Sequence, residues 1–416
     1  MKVLFTTLAA NAHLYNLVPV AWALRAAGHD VRVAAQPDLT DAIVQAGLPA
    51  VPVGNALDLA ELSRRARQRP EEQNLFDSRF DITETREEVL DLDYTRGVLA
   101  TWCSMGLEPL AHDTALDDVV GFARSWQPDL VVWDALTYLG PIAARASGAA
   151  QVRVLFGLDH VARVRARFAE LGGGTDPVAE WLSAKLARFG LAFDEELVLG
   201  QRTVDPLPPW TRFPTGVDYL PVRHVPYNGR SVVPAWLAEP PTRRRVCVTL
   251  GLSRRDLWGV ERFSAEHLFE AVADLDVEVV ATLTARQLHS PTARPDNVRL
   301  HDFVPLDALL PTCAAVVHHG GAGTMGNAVA HGVPQLVLPG NLWDKSGLAD
   351  LLAEQGACLV LDPDRLTAAE LRAQLLRLLE EPSFAAGAEK AREQAQSAPT
   401  PHEVVPELER VAAGRR

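Results

Sequence analysis

The sequence predicts an α/β protein of two domains, each a parallel β-sheet with helices on both faces. Three observations lead there. The chain has 416 residues, more than one hydrophobic core usually serves, so domains of roughly 150 to 200 residues each are expected. Short apolar runs alternate with helical stretches in both halves, the rhythm of parallel strands joined by crossover helices. A Pro-rich stretch without that rhythm separates the two series.

In the first half a β run covers Val3 to Leu8, and a helix runs from about Tyr15 until Gly28 closes it. A second β run, Val31 to Ala35, is followed by a helix after Pro37 and by the short run in GLPAVPVG. The pattern returns in PDLVVWDALTYLGPIAARASG, a strand ending at Trp133 or Asp134 and then a helix. Between them, residues 61–96 hold seven arginines against ten acidic residues, a mixture suited to a solvated excursion on the domain surface. Residues 159–200 read as helical, with Asp176 and Pro177 as N-cap and first-turn residues before VAEWLSAKLARFG.

The Pro-rich stretch reaches from VDPLPPW to RSVVPAWLAEPPTRRR. It sets the expected division: residues 1–222 a first domain, 223–242 a linker, and 243–400 a second domain. The second strand series is RRRVCVTLG, VEVVATL, VRLHDFVP, AAVVHH, QLVLPG and ACLVL. A Pro-Thr-Pro break then starts a tail, 401–416, expected to form a short helix that returns to the first domain.

Composition excludes several classes of function. A net charge of −13 and a pI near 5.4 lack the basic footprint of a nucleic-acid or anionic-membrane binder. The start, MKVLFTTLAANAH, meets Asn11 and His13 before an apolar stretch reaches signal-peptide length. No run approaches the ~18 apolar residues of a membrane span, and a cytoplasmic location is expected. The four cysteines, at 103, 247, 313 and 358, lack CxxC spacing, so neither a disulfide framework nor a metal cage is expected.

Two places carry chemistry. The strand AAVVHH runs straight into GGAGT and a helix, which puts glycines at a strand C-terminus and a helix N-terminus. Such a junction offers unpaired N–H groups and partial positive charge to an anion. Gly320, Gly321 and Gly323 permit close backbone approach, Thr324 adds a hydroxyl, and one of His318 and His319 can donate to a phosphate oxygen. Glycines at a tight turn are equally often structural. A nicotinamide dinucleotide site would need GxGxxG after the first strand, and TTLAANAHL has no glycine there. That first turn instead carries His13, while Asp134 ends a later strand at the same sheet edge. A carboxylate that orients an imidazole makes a general base for a hydroxyl. Either residue alone is also an ordinary polar strand end; their coincidence with an anion turn favours catalysis.

AHLYNLVP with AGHDVRVAA, then HHGGAGT followed by GVPQLVLPGNLWDK, resemble the nucleotide-sugar glycosyltransferases of the GT-B fold over nearly the whole chain. AFDEELVLGQ, YNGRSVVPAWL, RRRVCVTLGLSRR and LLPTCAAVVHHGG resemble, more narrowly, actinobacterial transferases that place TDP-deoxysugars on polyketide aglycones such as macrolides and anthracyclines. The resemblance implies two Rossmann-like domains facing across a cleft. It implies that His319 contacts the diphosphate, that Gly321, Ala322, Gly323 and Thr324 form the backbone cradle, and that His318 is structural. Phe303 and Val304 match the nucleobase segment, Gly251 and Ser253 the loop under the phosphates, and Asp344 the residue that contacts sugar hydroxyls. Lys345 stands where relatives commonly carry Gln, which is compatible with a deoxygenated sugar.

The expected function is an inverting O-glycosyl transfer from a TDP-deoxysugar to a polyketide-type aglycone. His13 takes the acceptor proton, no metal or cofactor is needed, and the TDP-sugar is the co-substrate. C-glycosylation, a non-hydrolysing sugar-nucleotide epimerase and a catalytically silent partner protein are the alternatives. Trp102, Met105, Phe156 and Trp181 are candidate acceptor-pocket residues, each equally suited to plain core. The resemblance also implies an auxiliary activator protein, a haem-free relative of the cytochrome monooxygenases. Glu61 to Arg96, with Leu75, Phe76 and Phe80 among its charges, is the expected docking surface.

Overall fold

The computed structural model describes residues 1–59, 61, 80–250, 265–283, 294–340 and 345–414. Two compact units emerge: Met1–Leu207 with Arg212–Arg223 and Pro399–Arg416, and Pro208–Thr211 with His224–Ala398.

The first unit holds a sheet of β1 (Lys2–Thr6), β2 (Asp30–Ala35), β3 (Ala50–Pro52), β4 (Leu130–Asp134), β5 (Ala150–Val154), β6 (Arg202–Asp205) and β7 (Tyr219–Pro221). Their order is β3-β2-β1-β4-β5-β6-β7, and the pairs are parallel. Every residue of β4 (LVVWD) and β5 (AQVRV) is buried, as expected for central strands covered on both faces. Strand order reverses between β1 and β4, so the crevice beyond their C-terminal ends is the position where open α/β sheets bind ligands.

Helix α1 spans Asn11–Ala26, beginning four residues earlier than Tyr15. Ala10 takes the N-cap position without a side-chain bond, so the start carries no capping residue for a sequence reading to find. His13 therefore lies in the first turn of a helix rather than in a loop. Helix α2, His160–Glu170, starts from Asp159, whose carboxylate accepts from the Ala162 N–H. Asp176 caps the helix Pro177–Ala187 as expected, accepting from Val178 N–H.

The second unit repeats the topology with β8 (Arg244–Thr249), β9 (Val277–Thr282), β10 (Val298–His301), β11 (Ala315–His318), β12 (Gln335–Val337) and β13 (Cys358–Val360). The order is β10-β9-β8-β11-β12-β13, again with parallel pairs. The reversal here lies between β8 and β11, and β11 leads into the HHGG turn. One apolar cluster includes Val246, Val248, Leu268, Val279 and Leu371, and a second Cys247, Val280, Val316 and Ala328. Alternate residues of β8 and β11 thus enter different clusters, as the two-residue period of a strand requires.

The division differs from expectation at the linker. Residues 224–242 belong to the second unit because they are packed against it: the Trp236 ring stacks on His301 at 5.2 Å and joins Leu237 against the second cluster. Proline richness suppresses regular hydrogen bonding without preventing side-chain burial. The tail lies with the first unit. There the helix Val405–Ala413 receives Arg202 on Glu407 at 3.1 Å and His29 on Glu409 at 3.0 Å.

Of the expected docking segment, Leu75 and Phe76 lie outside the described residues. Phe80 meets Tyr94 edge-on at 5.7 Å and lies over Gly97, so its ring is engaged within the chain. Among the described residues no helix is long and apolar enough to cross a membrane.

Candidate active site

His13 Nδ1 lies 2.8 Å from Asp134 Oδ2. The adjacency of β1 and β4, with Thr6 paired to Trp133, brings together residues separated by 121 positions. Asp134 is fully buried and His13 is 15% exposed, so the imidazole is the member of the pair that reaches solvent. The other carboxylate oxygen of Asp134 accepts from the Leu136 N–H at 3.0 Å. A carboxylate only accepts, so Nδ1 carries the proton and the lone pair of the neutral ring lies on Nε2. That is the arrangement of a general base held by a buried acid.

The loop after β5 completes this edge. Phe156 places its ring 4.7 Å from that of His13, and Asn16, one turn further along α1, donates to Leu155 O at 2.7 Å. At the far end of the loop Asp159 receives both guanidinium nitrogens of the buried Arg153 and the Tyr219 hydroxyl at 3.0 Å. These bonds fix the loop from both ends. Asn16, Arg153 and Asp159 escaped the sequence reading, since one polar residue in a helix and a charge inside an apolar strand carry no local motif.

His160 follows Asp159 in the chain. Burial, with Arg163 adding to it, lowers its pKa to about 3, so it stays neutral and unsuited to proton transfer near pH 7.

The acceptor candidates divide. Phe156 touches His13. Trp181 is tied down by donating to Glu108 at 2.6 Å and meets Tyr138 edge-on at 5.7 Å. Met105 and Trp102 lie on the single π-helical turn Trp102–Leu107. Trp102 is core: it is 4% exposed, with its ring over Gly106, where an added Cβ would come within 2.7 Å. Burial pushes the Cys103, Cys313 and Cys358 thiols up to about 12, so these cysteines are not nucleophiles.

In the second unit the two histidines have different situations. His318, the last residue of β11, is fully buried. Its Nδ1 accepts from the Gly320 N–H at 3.0 Å and its Nε2 donates to Gln335 Oε1 at 2.8 Å. One ring nitrogen thus serves the turn and the other the adjacent strand β12. His319 turns its ring over Gly321, where an added Cβ would lie 2.8 Å from Nε2. Gly320 adopts φ +83°, a left-handed conformation that glycine enters without steric cost.

The helix that follows, α4 (Ala322–Ala330), has no side-chain cap and no acidic residue in its first turn. Its first N–H groups and dipole are thus available to an anion. At Gly323 an added Cβ would meet nothing within 4 Å; the absent side chain leaves open space where the helix begins. Thr324 follows, 9% exposed.

Val304 is buried at 2% and Phe303 is 38% exposed. They precede the short helix α3, Leu306–Leu309, which starts from Pro305. Gly251, Ser253 and Asp344 lie outside the described residues. Lys345 opens the helix Lys345–Glu354, and its side chain also lies outside them.

Comparison with known proteins matches the chain to two family models. The N-terminal domain of the erythromycin biosynthesis protein CIII-like family matches residues 22–251, and the C-terminal domain residues 266–411. The chain is 49% identical to an aclacinomycin-T 2-deoxy-L-fucose transferase of Streptomyces galilaeus, covering all of this chain and 97% of that protein. It is 47% identical to a 10-deoxymethynolide desosaminyltransferase of Streptomyces venezuelae, covering all of this chain and 98% of the other. Among solved structures, the glycosyltransferase VinC in complex with dTDP superposes with a TM-score of 0.90 at 47% identity, each chain fully covered. The spinosyn forosaminyltransferase SpnP gives 0.83 at 46% identity, with 99% of each chain covered.

Proposed function

Because the chain belongs to the erythromycin biosynthesis protein CIII-like family and is a glycosyltransferase of the GT-B fold, we propose that it transfers a deoxysugar from a TDP-sugar to a hydroxyl of a polyketide-type aglycone. The observation that carries this reading is the His13–Asp134 pair, 2.8 Å apart at the switch point of the first sheet, together with the uncapped helix start beside His319 in the second.

The chemistry follows from those groups. His13 Nε2 takes the proton of the acceptor hydroxyl, and Asp134 stabilises the imidazolium that forms. The hydroxyl oxygen attacks the anomeric carbon from the face opposite the leaving group, so the configuration inverts. The C–O bond to the diphosphate breaks, and the departing TDP takes its electron pair onto an oxygen that His319 and the N–H groups of α4 stabilise. The reaction proceeds without a metal or a resident cofactor, and the enzyme acts in the cytoplasm. Sugar transfer is favoured over epimerisation, since the relatives' names describe sugar transferases, and a base that takes a hydroxyl proton favours O-transfer.

The test is product analysis. Incubation with a panel of TDP-deoxysugars and macrolide or anthracycline aglycones should give adducts one deoxysugar heavier by mass spectrometry, with inverted anomeric configuration by NMR. A product linked through carbon, or no adduct with any pair, would refute the assignment.

An auxiliary activator related to cytochrome monooxygenases belongs to the same proposal. It docks on the first unit around Glu61 to Arg96, where the described part presents Arg86 on Glu84 and Arg96 on Asp93. Turnover should rise when the co-encoded auxiliary protein is added; full activity alone, with no complex on size exclusion, would remove it from the scheme.

A further inference from the structure

We infer that Asn228 and Asn327 are positioning residues which hold the diphosphate-facing start of α4 and the Phe303–Val304 segment at a fixed spacing, so that the second unit recognises a nucleoside diphosphate as one piece. This rests on the donor reading above. It starts from a backbone group. Helix α3 is four residues long and begins after Pro305 without a side-chain cap of its own, so the Leu306 N–H needs an acceptor from elsewhere. Asn228 Oδ1 supplies it at 3.1 Å, from 78 residues away.

The same amide continues toward α4. Asn228 Nδ2 donates to Asn327 Oδ1 at 3.4 Å, the long member of the series, and Asn327 Nδ2 donates to Gly323 O at 2.7 Å. Both amides thus have their orientation set by their partners. The relay runs from the residue after Pro305 to the first turn of α4, where Gly323 faces open space.

Two further features indicate that this spacing is maintained. His331, just past the far end of α4, places Nε2 3.0 Å from Asp307 Oδ1 on α3. The helices are therefore joined at two points, which opposes pivoting about either. Val304, Leu309, Leu310, Ala328 and Val333 fill the space between them. Asn327 is 7% exposed in a helix interior, where Asn is intrinsically poorer than Ala. A buried residue that opposes local propensity indicates a requirement from outside the helix.

The experiment compares wild type, Asn228→Ala, Asn228→Asp, Asn327→Ala and the double alanine variant. TDP is titrated by calorimetry, thymidine and inorganic pyrophosphate are measured as competitors, and thermal unfolding confirms the fold. Asn228→Ala should weaken TDP by about 5- to 10-fold, while each fragment, which needs only one of the two segments, changes by less than about twofold. Asn228→Asp keeps the acceptor for Leu306 but turns a second acceptor toward Asn327 Oδ1, so it should weaken TDP at least as much as alanine. The double variant should be no weaker than the worse single, because both residues serve one relay. Wild-type affinity in Asn228→Ala, or an equal loss for TDP and both fragments, would overturn the inference alone. A wild-type chain that does not bind TDP would overturn the donor reading and this inference with it.

Discussion

Replacing Asp134 by Asn tests the base most sharply, because it changes charge and proton pattern while leaving shape nearly intact. In the native pair Oδ2 accepts from His13 at 2.8 Å and Oδ1 accepts from the Leu136 N–H at 3.0 Å. The amide of Asn has one acceptor and one donor end. If the oxygen stays with Leu136, the NH2 faces His13 and forces the imidazole proton onto Nε2, the nitrogen that has to accept. If the amide flips, NH2 opposes the buried Leu136 N–H and leaves an unsatisfied donor, costing about 1–3 kcal/mol. In either orientation the imidazolium formed during transfer loses its charged partner, worth about 1.5–3 kcal/mol more. The sum corresponds to a loss of about 10² to 10⁴ in the chemical step, at about 1.4 kcal/mol per decade. Single-turnover transfer, read by mass spectrometry at saturating donor, isolates that step from product release. TDP affinity should be unchanged, and His13→Ala should lose a comparable factor or more. If Asp134→Asn, correctly folded, transfers within about threefold of wild type, the pair is not the base.

Other predictions concern the donor turn and acid stability. His319→Ala should weaken TDP binding by about 1.5 to 3 kcal/mol, the range of a hydrogen bond to a charged group; an unchanged calorimetric titration would return His319 to a structural role. Gly323→Ala places a methyl in open space, so it should leave the melting temperature equal or higher, by up to about 1 kcal/mol of stability. The same methyl obstructs the anion's approach, and undiminished TDP affinity would show that the space is not used. His160, lowered from 6.5 to about 3 in the folded state, stays neutral when folded but protonates in the unfolded chain below about pH 6.5. Stability is therefore lost as pH falls through that window, about 2 kcal/mol from this group by pH 5. Urea unfolding at pH 7 and pH 5 should show that difference shrinking in His160→Gln, and an equal loss in both proteins would contradict it.

The chain's local patterns determined its architecture. Apolar runs such as LVVWD and VCVT, and the periodic stretches between them, specify parallel strands and crossover helices because burial on both faces demands that composition wherever they fall. The GGAGT run after a strand marked a candidate anion turn for a similar reason: its conformation and open space are properties of glycine itself. Tertiary structure decided everything that depends on which distant groups meet. His13 and Asp134 are 121 positions apart, and only the placement of β1 beside β4 turned two polar strand-end candidates into a bonded pair. Local pattern alone did not separate His318 from His319, which only the family resemblance told apart; strand pairing put Gln335 within 2.8 Å of the first and so committed it to the framework. Trp102 was equally credible as pocket wall or core until its ring came to rest over Gly106. Residues 224–242 show the separation most plainly. Prolines announce a break in regular hydrogen bonding, which is local, whereas the attachment of Trp236 and Asn228 to the second unit rests on groups contributed from elsewhere in the chain. A sequence records which surfaces must be buried and which backbone shapes are allowed; the partners of a buried polar group are chosen only when the packed elements bring them within hydrogen-bond reach.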